Sequence, residues 1–238
     1  MQEALIICII GIFCGFYVQT VVGFAGALVA LPILLLGIDL PDAISMISLF
    51  YLISSAVLLY QNWTEVNKKI IVQLALTITI GTVLGILVLK WGKPMILKKS
   101  LGVFVILYVI YKISDKNKVA FLSKLGTPLG LLGGFFSGLF STGGPIYMIY
   151  VQSKLKTAGA VRATMIGVIA LTNLIRVPTL TVNGLLGLSH LKLALYIIPF
   201  YFLAQFLGNV TYDKLNEKTF HNILLLLLFL SGISLIVR

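Results

Sequence analysis

Between positions 126 and 151 the chain reads GTPLGLLGGFFSGLFSTGGPIYMIYV, and this run constrains the fold more than any other stretch. It is apolar enough to belong in lipid. Yet glycine recurs at Gly126, Gly130, Gly133, Gly134, Gly138, Gly143 and Gly144, and Pro145 follows at once. Glycine raises the entropic cost of a helix and proline removes a backbone donor, so one unbroken helix is not expected here. Broken backbone at membrane depth is tolerated only where it faces protein or a water-filled cavity. The stretch is therefore a candidate binding site on physical grounds.

Composition fixes the solvent. Of the 238 residues, 59% are hydrophobic and 11% charged, whereas a soluble domain carries about 25% charged residues. An all-α polytopic membrane protein is expected, with no polar stretch long enough to form a soluble domain. The net charge of +11 reads first as lysines gathered in cytoplasmic loops. It reads second as a positive potential that draws in anions. Basic residues scattered among the loops of a membrane protein, with lipid around them, imply no nucleic-acid partner. Met1, Gln2 and Glu3 lack the basic start of a cleaved signal, so residues 4–22 read as mature chain. Cys8 and Cys14 lie six apart in one apolar segment, a spacing that suits neither redox nor metal chemistry.

Apolar runs fall at 4–36, 43–61, 70–89, 101–113, 126–151, 163–188, 191–210 and 220–237. The first would be roughly 50 Å long as a helix, too long for one crossing of a core about 30 Å thick. Gly23-Phe24-Ala25-Gly26 interrupts it near the middle, with Pro32 soon after. Adding 119 carries Gly15-Phe16-Tyr17 onto Gly134-Phe135-Phe136, and Gly23–Gly26 onto Thr142-Gly143-Gly144-Pro145. Adding 123 carries Leu84-Gly85 onto Leu207-Gly208. Thus 1–113 and 126–238 read as two membrane repeats joined by a basic linker, 114–125.

Charge bias selects a topology. If all eight runs cross, Lys and Arg divide almost evenly between the two faces. If the first and fifth runs are hairpins, Lys68, Lys69, Lys112, Lys116, Lys118, Lys124, Lys154, Lys156, Arg162, Lys214 and Lys218 share one face. Lys90, Lys93, Lys98, Lys99, Lys192 and Arg238 then share the other. Only the hairpin topology respects the positive-inside rule. Each repeat then has a broken, re-entrant glycine-rich hairpin plus three transmembrane helices, the second repeat is inverted, and the two hairpin tips meet near the midplane. Cysteines introduced at positions 40 and 155 should label from opposite faces; labelling of both from one face contradicts this topology.

Catalytic chemistry has little to work with. All seven acidic residues lie in loops or tails. There is no HExxH, Walker loop, GxSxG or paired carboxylate, and no cofactor is implied. The charge that does lie deep in an apolar run is Arg176. Lacking an intramembrane acid, it must find carbonyls, water or a bound anion, and its planar fork suits an oxyanion at two points. Snorkelling, or tethering a carbonyl of a broken helix, is the bland alternative. Thr172 and Asn173 stand a turn earlier as uncharged donors. Helices beginning at the two breaks would aim backbone N–H groups and positive dipole ends at a ligand. Gln19 and Thr20 precede the first break, and Ser141 and Thr142 lie in the second. Gly81, Gly85 and Gly208 read as close-packing points between helices, and Trp63, Trp91, Tyr108, Tyr111 and Tyr150 as interfacial aromatics.

These features resemble the sulfite exporter TauE/SafE family, also called the toluene sulfonate uptake permeases. The likeness runs from Gly15-Phe16 through Gly23-Phe24-Ala25-Gly26-Ala27-Leu28-Val29-Ala30-Leu31-Pro32, with Gly37 and Ala43, and again from Gly130 to Pro145. It covers the whole chain in length and repeat plan. The resemblance implies transport of small sulfur-containing anions, such as sulfite, thiosulfate or sulfonates, across the bacterial inner membrane. A run of three glycines is usual in the first half, and Phe24-Ala25 interrupts it, which would reshape a pocket there. The expectation is a secondary transporter of a small sulfur oxyanion, with the substrate held by Gly23, Phe24, Ala25, Gly26, Gln19, Thr20, Ser141, Thr142, Gly143, Gly144, Pro145, Thr172, Asn173 and Arg176. A coupling proton, if used, would travel on histidine, water or the substrate. Oligomeric state is not set by the sequence. The rival reading, a non-transporting membrane scaffold or assembly subunit, expects Arg176→Ala to be silent.

Overall fold

The computed structural model describes residues 2–22, 26–113, 126–212 and 217–237. The expected linker at 114–125 lies outside the described residues, as do Gly23, Phe24 and Ala25 of the first break. The described residues form helices with no strand: α1 (Gln2–Val22), α2 (Gly26–Leu34), α3 (Leu40–Asn62), a 3-10 turn (Trp63–Glu65), α4 (Lys68–Trp91), α5 (Pro94–Ile113), α6 (Gly126–Phe140), α7 (Gly144–Lys154), α8 (Ala158–Val182), α9 (Leu188–Tyr212) and α10 (Glu217–Val237). Among the described residues, five stretches are long and apolar enough to cross a membrane: Glu3–Val21, Leu40–Tyr60, Lys68–Trp91, Gly159–Val182 and Leu188–Thr211. This is a multi-pass, all-α membrane protein. With 15 and 11 residues, α6 and α7 reach only about 22 and 16 Å at 1.5 Å per residue, short of a crossing.

The chain divides into two compact units, each drawing on both halves of the sequence. One comprises Met1–Ala43, Gly92–Asp115 and Leu195–Arg238; the other comprises Ile44–Trp91 and Lys116–Ala194. In the first unit α1 and α2 fold back on each other. Gly37 packs on Ile7, Gly11 on Leu34 and Gly15 on Ala30, where an added Cβ would fall 2.6 Å from the Ala30 methyl. α2 thus returns to the level of Gly11 and the turn after it to Ile7, so the paired part of α1 is shorter than the whole helix. On α9, Gly208 lies against the Thr20 side chain and the Tyr17 carbonyl, while Tyr201 meets Phe16 edge-on with ring centroids 5.1 Å apart. α5 and α10 touch through Gly102 and Gly232.

The second unit shows what most of the dense glycines do. α4 presents Gly81 and Gly85 to α6, and the two backbones touch. A Cβ on Gly81 would lie 2.8 Å from the Phe135 nitrogen, and one on Gly85 would lie 2.8 Å from the Leu139 nitrogen. Reciprocally, Gly134 meets the Ile78 carbonyl and Gly138 the Thr82 carbonyl. Such close approach maximises dispersion contact where lipid removes the usual hydrophobic drive for helix association. Gly126 and Gly133 instead open room for the rings of Tyr150 and Tyr147, so α7 folds back along α6. Both glycine-rich runs are therefore broken, antiparallel hairpins.

Three local expectations are corrected. Tyr108 and Tyr150 are buried instead of lying in an aromatic belt, Tyr150 because its ring fills the space beside Gly126 and its hydroxyl donates to Gln73 Oε1 at 3.4 Å. Trp63 and Trp91 are exposed as expected. Leu40 is fully buried, so the exposed neighbour Asp39 is the better labelling position.

Candidate functional site

α6 ends at Phe140 and α7 begins at Gly144, and the three-residue connection is the second break made visible. Ser141 takes a left-handed φ of 58°, the only non-glycine among the described residues to do so. A side chain in that region costs roughly 1–2 kcal/mol. Glycines stand on both sides of it, so the strain cannot be assigned to a shortage of flexible residues nearby. Non-glycine residues held in such conformations cluster at ligand clamps and switches. The Ser141 amide donates to the Ser137 carbonyl at 2.9 Å and the Thr142 amide to the Phe136 carbonyl at 3.3 Å, which closes the end of α6. Gly143 then sits against the Ser137 hydroxyl and the Gly133 carbonyl, too close for any Cβ.

Pro145 opens α7, where its fixed φ suits the first turn and its missing N–H is no loss. The amides of Ile146 and Tyr147 both turn back to the Gly143 carbonyl, at 3.0 and 3.1 Å. The helix start can therefore offer a ligand little more than the amides of Gly143 and Gly144, fewer than the sequence suggests.

Arg176 comes from α8. That helix is capped by Thr157, whose side chain accepts from the Ala160 amide at 3.4 Å. It is held on α4 where Thr164 Oγ1 accepts from the Asn67 amide at 3.0 Å and Gly167 admits Ile71. α3 is tied to the turn after α8 by Ser45, whose hydroxyl donates to the Leu185 carbonyl at 2.8 Å. These fastenings fix where the guanidinium can point.

Arg176 is 2% exposed, so it does not snorkel. One Nη donates to the Ser137 carbonyl at 3.0 Å and the other to Asn173 Oδ1, while the face of Tyr51 lies 5.6 Å from the guanidinium carbon. The two-point fork expected from the sequence is thus already spent on the protein. What stays open is Nε, which has no hydrogen-bond partner among the described residues. Asn173 Nδ2, Ser141 Oγ and Thr142 Oγ1 are likewise buried without partners. The Ser137 carbonyl oxygen accepts from both the Ser141 amide and Arg176, so the break and the guanidinium meet on one atom. Among the described residues Arg176 is the one buried charged side chain, and no cluster of His, Cys, Asp or Glu could hold a metal ion.

Thr172 is more occupied than the sequence suggests. Its hydroxyl donates to the Val168 carbonyl at 2.8 Å and shares a 3.4 Å contact with the Tyr147 hydroxyl, leaving it to orient Tyr147. In the first unit Gln19 is buried beside Gly26 and Thr20 beside Gly208. The Thr20 hydroxyl is spent on the Phe16 carbonyl at 2.8 Å, and Gly26 lies against Gln19 Oε1. Sequence reasoning missed Tyr51, Tyr147 and the Ser137 carbonyl. A signal existed for Tyr147, a hydroxyl-bearing ring two residues after the proline that opens a helix. None existed for Tyr51, which sits in an apolar helix far away in sequence.

A protein-family model described as Sulfite exporter TauE/SafE matches residues 7–235. No curated protein and no solved structure matches the chain.

Proposed function

The chain belongs to the sulfite exporter TauE/SafE family, and from that premise we propose that it is a secondary transporter whose second compact unit binds a sulfur-containing oxyanion at the α6–α7 break. Membership makes it a membrane transporter of sulfite or a related anion. The bacterial inner membrane is the proposed location. The observation that carries the site is the set of four buried donors without partners: Ser141 and Thr142 hydroxyls, Asn173 Nδ2 and Arg176 Nε. Buried polar groups are nearly always hydrogen-bonded, and each one left bare costs about 1–3 kcal/mol. Four bare donors, one of them on the buried guanidinium itself, with no carboxylate buried among the described residues, suit an oxyanion better than a cation. The amides of Gly143 and Gly144 complete the cradle, and Pro145 fixes their direction. The other glycines of the run act as spacers that let α4, α6 and α7 close up around it. The reading stands on this unit alone, without Gln19, Thr20 or Gly26 of the first hairpin.

A thermal-shift screen of the detergent-solubilised protein against sulfite, methanesulfonate, thiosulfate and chloride tests it. A ligand at a hundredfold its Kd stabilises by about 2.7 kcal/mol, which for a chain of this size raises Tm by roughly 5–10 °C. Selective stabilisation by a sulfur oxyanion is the expected outcome. No shift with any anion at saturation would overturn the anion site.

A further inference from the structure

Resting on that reading of the site, we infer that the bound species is singly charged: hydrogensulfite or an organic sulfonate is taken, and doubly charged sulfite, thiosulfate and sulfate are disfavoured. Charge stoichiometry is the ground. Arg176 is the one buried charged side chain among the described residues. Its positive charge is partly offset by the negative ends of the Ser137 carbonyl and Asn173 Oδ1 and by the face of the Tyr51 ring. The start of α7 returns at most about half an elementary charge, and its Ile146 and Tyr147 amides are already folded onto Gly143. The two adjustments oppose each other, so the site presents close to one positive charge.

A singly charged oxyanion cancels that charge. A doubly charged one brings a second negative charge into a buried site, where water does not screen it and desolvation of the ion is at its most costly. Ser141, Thr142 and Asn173 contribute hydrogen bonds to ligand oxygens but no charge, so they cannot supply the deficit. The two hydroxyls can also accept, which leaves a place for the proton of hydrogensulfite. The titratable groups that face Arg176 are Tyr51 from α3 and Tyr147 from α7. No Asp, Glu, His or Lys is buried among the described residues of any element around it. The group that changes charge near neutral pH is therefore the ligand itself.

The test uses the wild-type protein and two probes. Sulfite and methanesulfonate are titrated one pH unit below and one above the second ionisation of sulfite. Methanesulfonate is a monoanion at both values and reports any change in the protein. Its apparent Kd should stay constant, while that of sulfite should rise about tenfold on the alkaline side as hydrogensulfite is depleted. Sulfate should bind at least tenfold more weakly than methanesulfonate at either pH. Sulfite affinity that is unchanged or tighter on the alkaline side, or sulfate binding that equals methanesulfonate, overturns the inference and leaves the anion site standing. Failure of both probes at both pH values overturns the anion site as well.

Discussion

Replacing Arg176 with methionine abolishes anion-dependent stabilisation and transport while leaving the protein folded. The guanidinium is buried, lacks an acidic partner and has one donor, Nε, open to a ligand. Removing a buried charge that bonds a ligand costs about 2–5 kcal/mol, roughly thirty- to several-thousand-fold in affinity. The fold should suffer less. Methionine is unbranched and fills much of the same volume, and removing an unpaired buried charge also removes its desolvation penalty. The Ser137 carbonyl keeps its bond from the Ser141 amide, so the end of α6 stays closed. Asn173 Oδ1 loses its donor, at about 1–3 kcal/mol, against which the removed desolvation cost is set. Flux into proteoliposomes and the Tm without ligand separate the two effects: flux should vanish and the ligand-free Tm should move by only a few degrees. Arg176→Lys keeps the charge but cannot serve the Ser137 carbonyl and Asn173 in one plane, and intermediate affinity is expected. If Arg176→Met transports normally, the residue is a tether for the α6–α7 break and nothing more.

Much of this was legible in the sequence because membrane burial writes plainly. Hydropathy marked α3, α4, α8 and α9, and the clustered Gly143, Gly144 and Pro145 marked the break before α7. The pairing of Gly81 and Gly85 with a neighbouring helix followed from small-residue spacing, but the partner did not. Within one unit Gly85 packs beside Phe135 and Leu139, and within the other Gly208 packs beside Tyr17 and Thr20. Arg176 was conspicuous as a charge in an apolar run. Its ligands were not, because the Ser137 carbonyl and the Tyr51 ring reach it only through tertiary packing of α6 and α3 on α8. Backbone acceptors leave no trace in side-chain identity. The number of helix-start donors was overstated for a related reason, since the fold-back of Ile146 and Tyr147 onto Gly143 depends on local dihedrals that glycine leaves open.

Gly138→Ala should be strongly destabilising to the second unit, and it discriminates a glycine that spaces helices from one that cradles an anion. The new Cβ would stand against the Thr82 carbonyl oxygen and within 3.1 Å of the Ile86 nitrogen. These are backbone atoms in the middle of α4, so no rotamer change relieves the clash and the helices must separate along their length. Overpacking ordinarily costs 1–3 kcal/mol. With rigid backbone on both sides the upper end is expected, about 3 kcal/mol, or a Tm lower by roughly 6–12 °C. Gly187→Ala is the matched control, since nothing lies within 4 Å of its added Cβ and its φ is not in the left-handed region; its Tm should be unchanged. Ligand dependence then separates the two roles. The proposed site holds the anion with Ser141, Thr142, Asn173 and Arg176 and not with the spacer glycines, so folded Gly138→Ala protein should show the same stabilisation by anion, measured from a lower baseline. Wild-type stability in Gly138→Ala would mean that α4 and α6 do not touch as described. Loss of the anion response at unchanged stability would move Gly138 from the helix seam into the binding site.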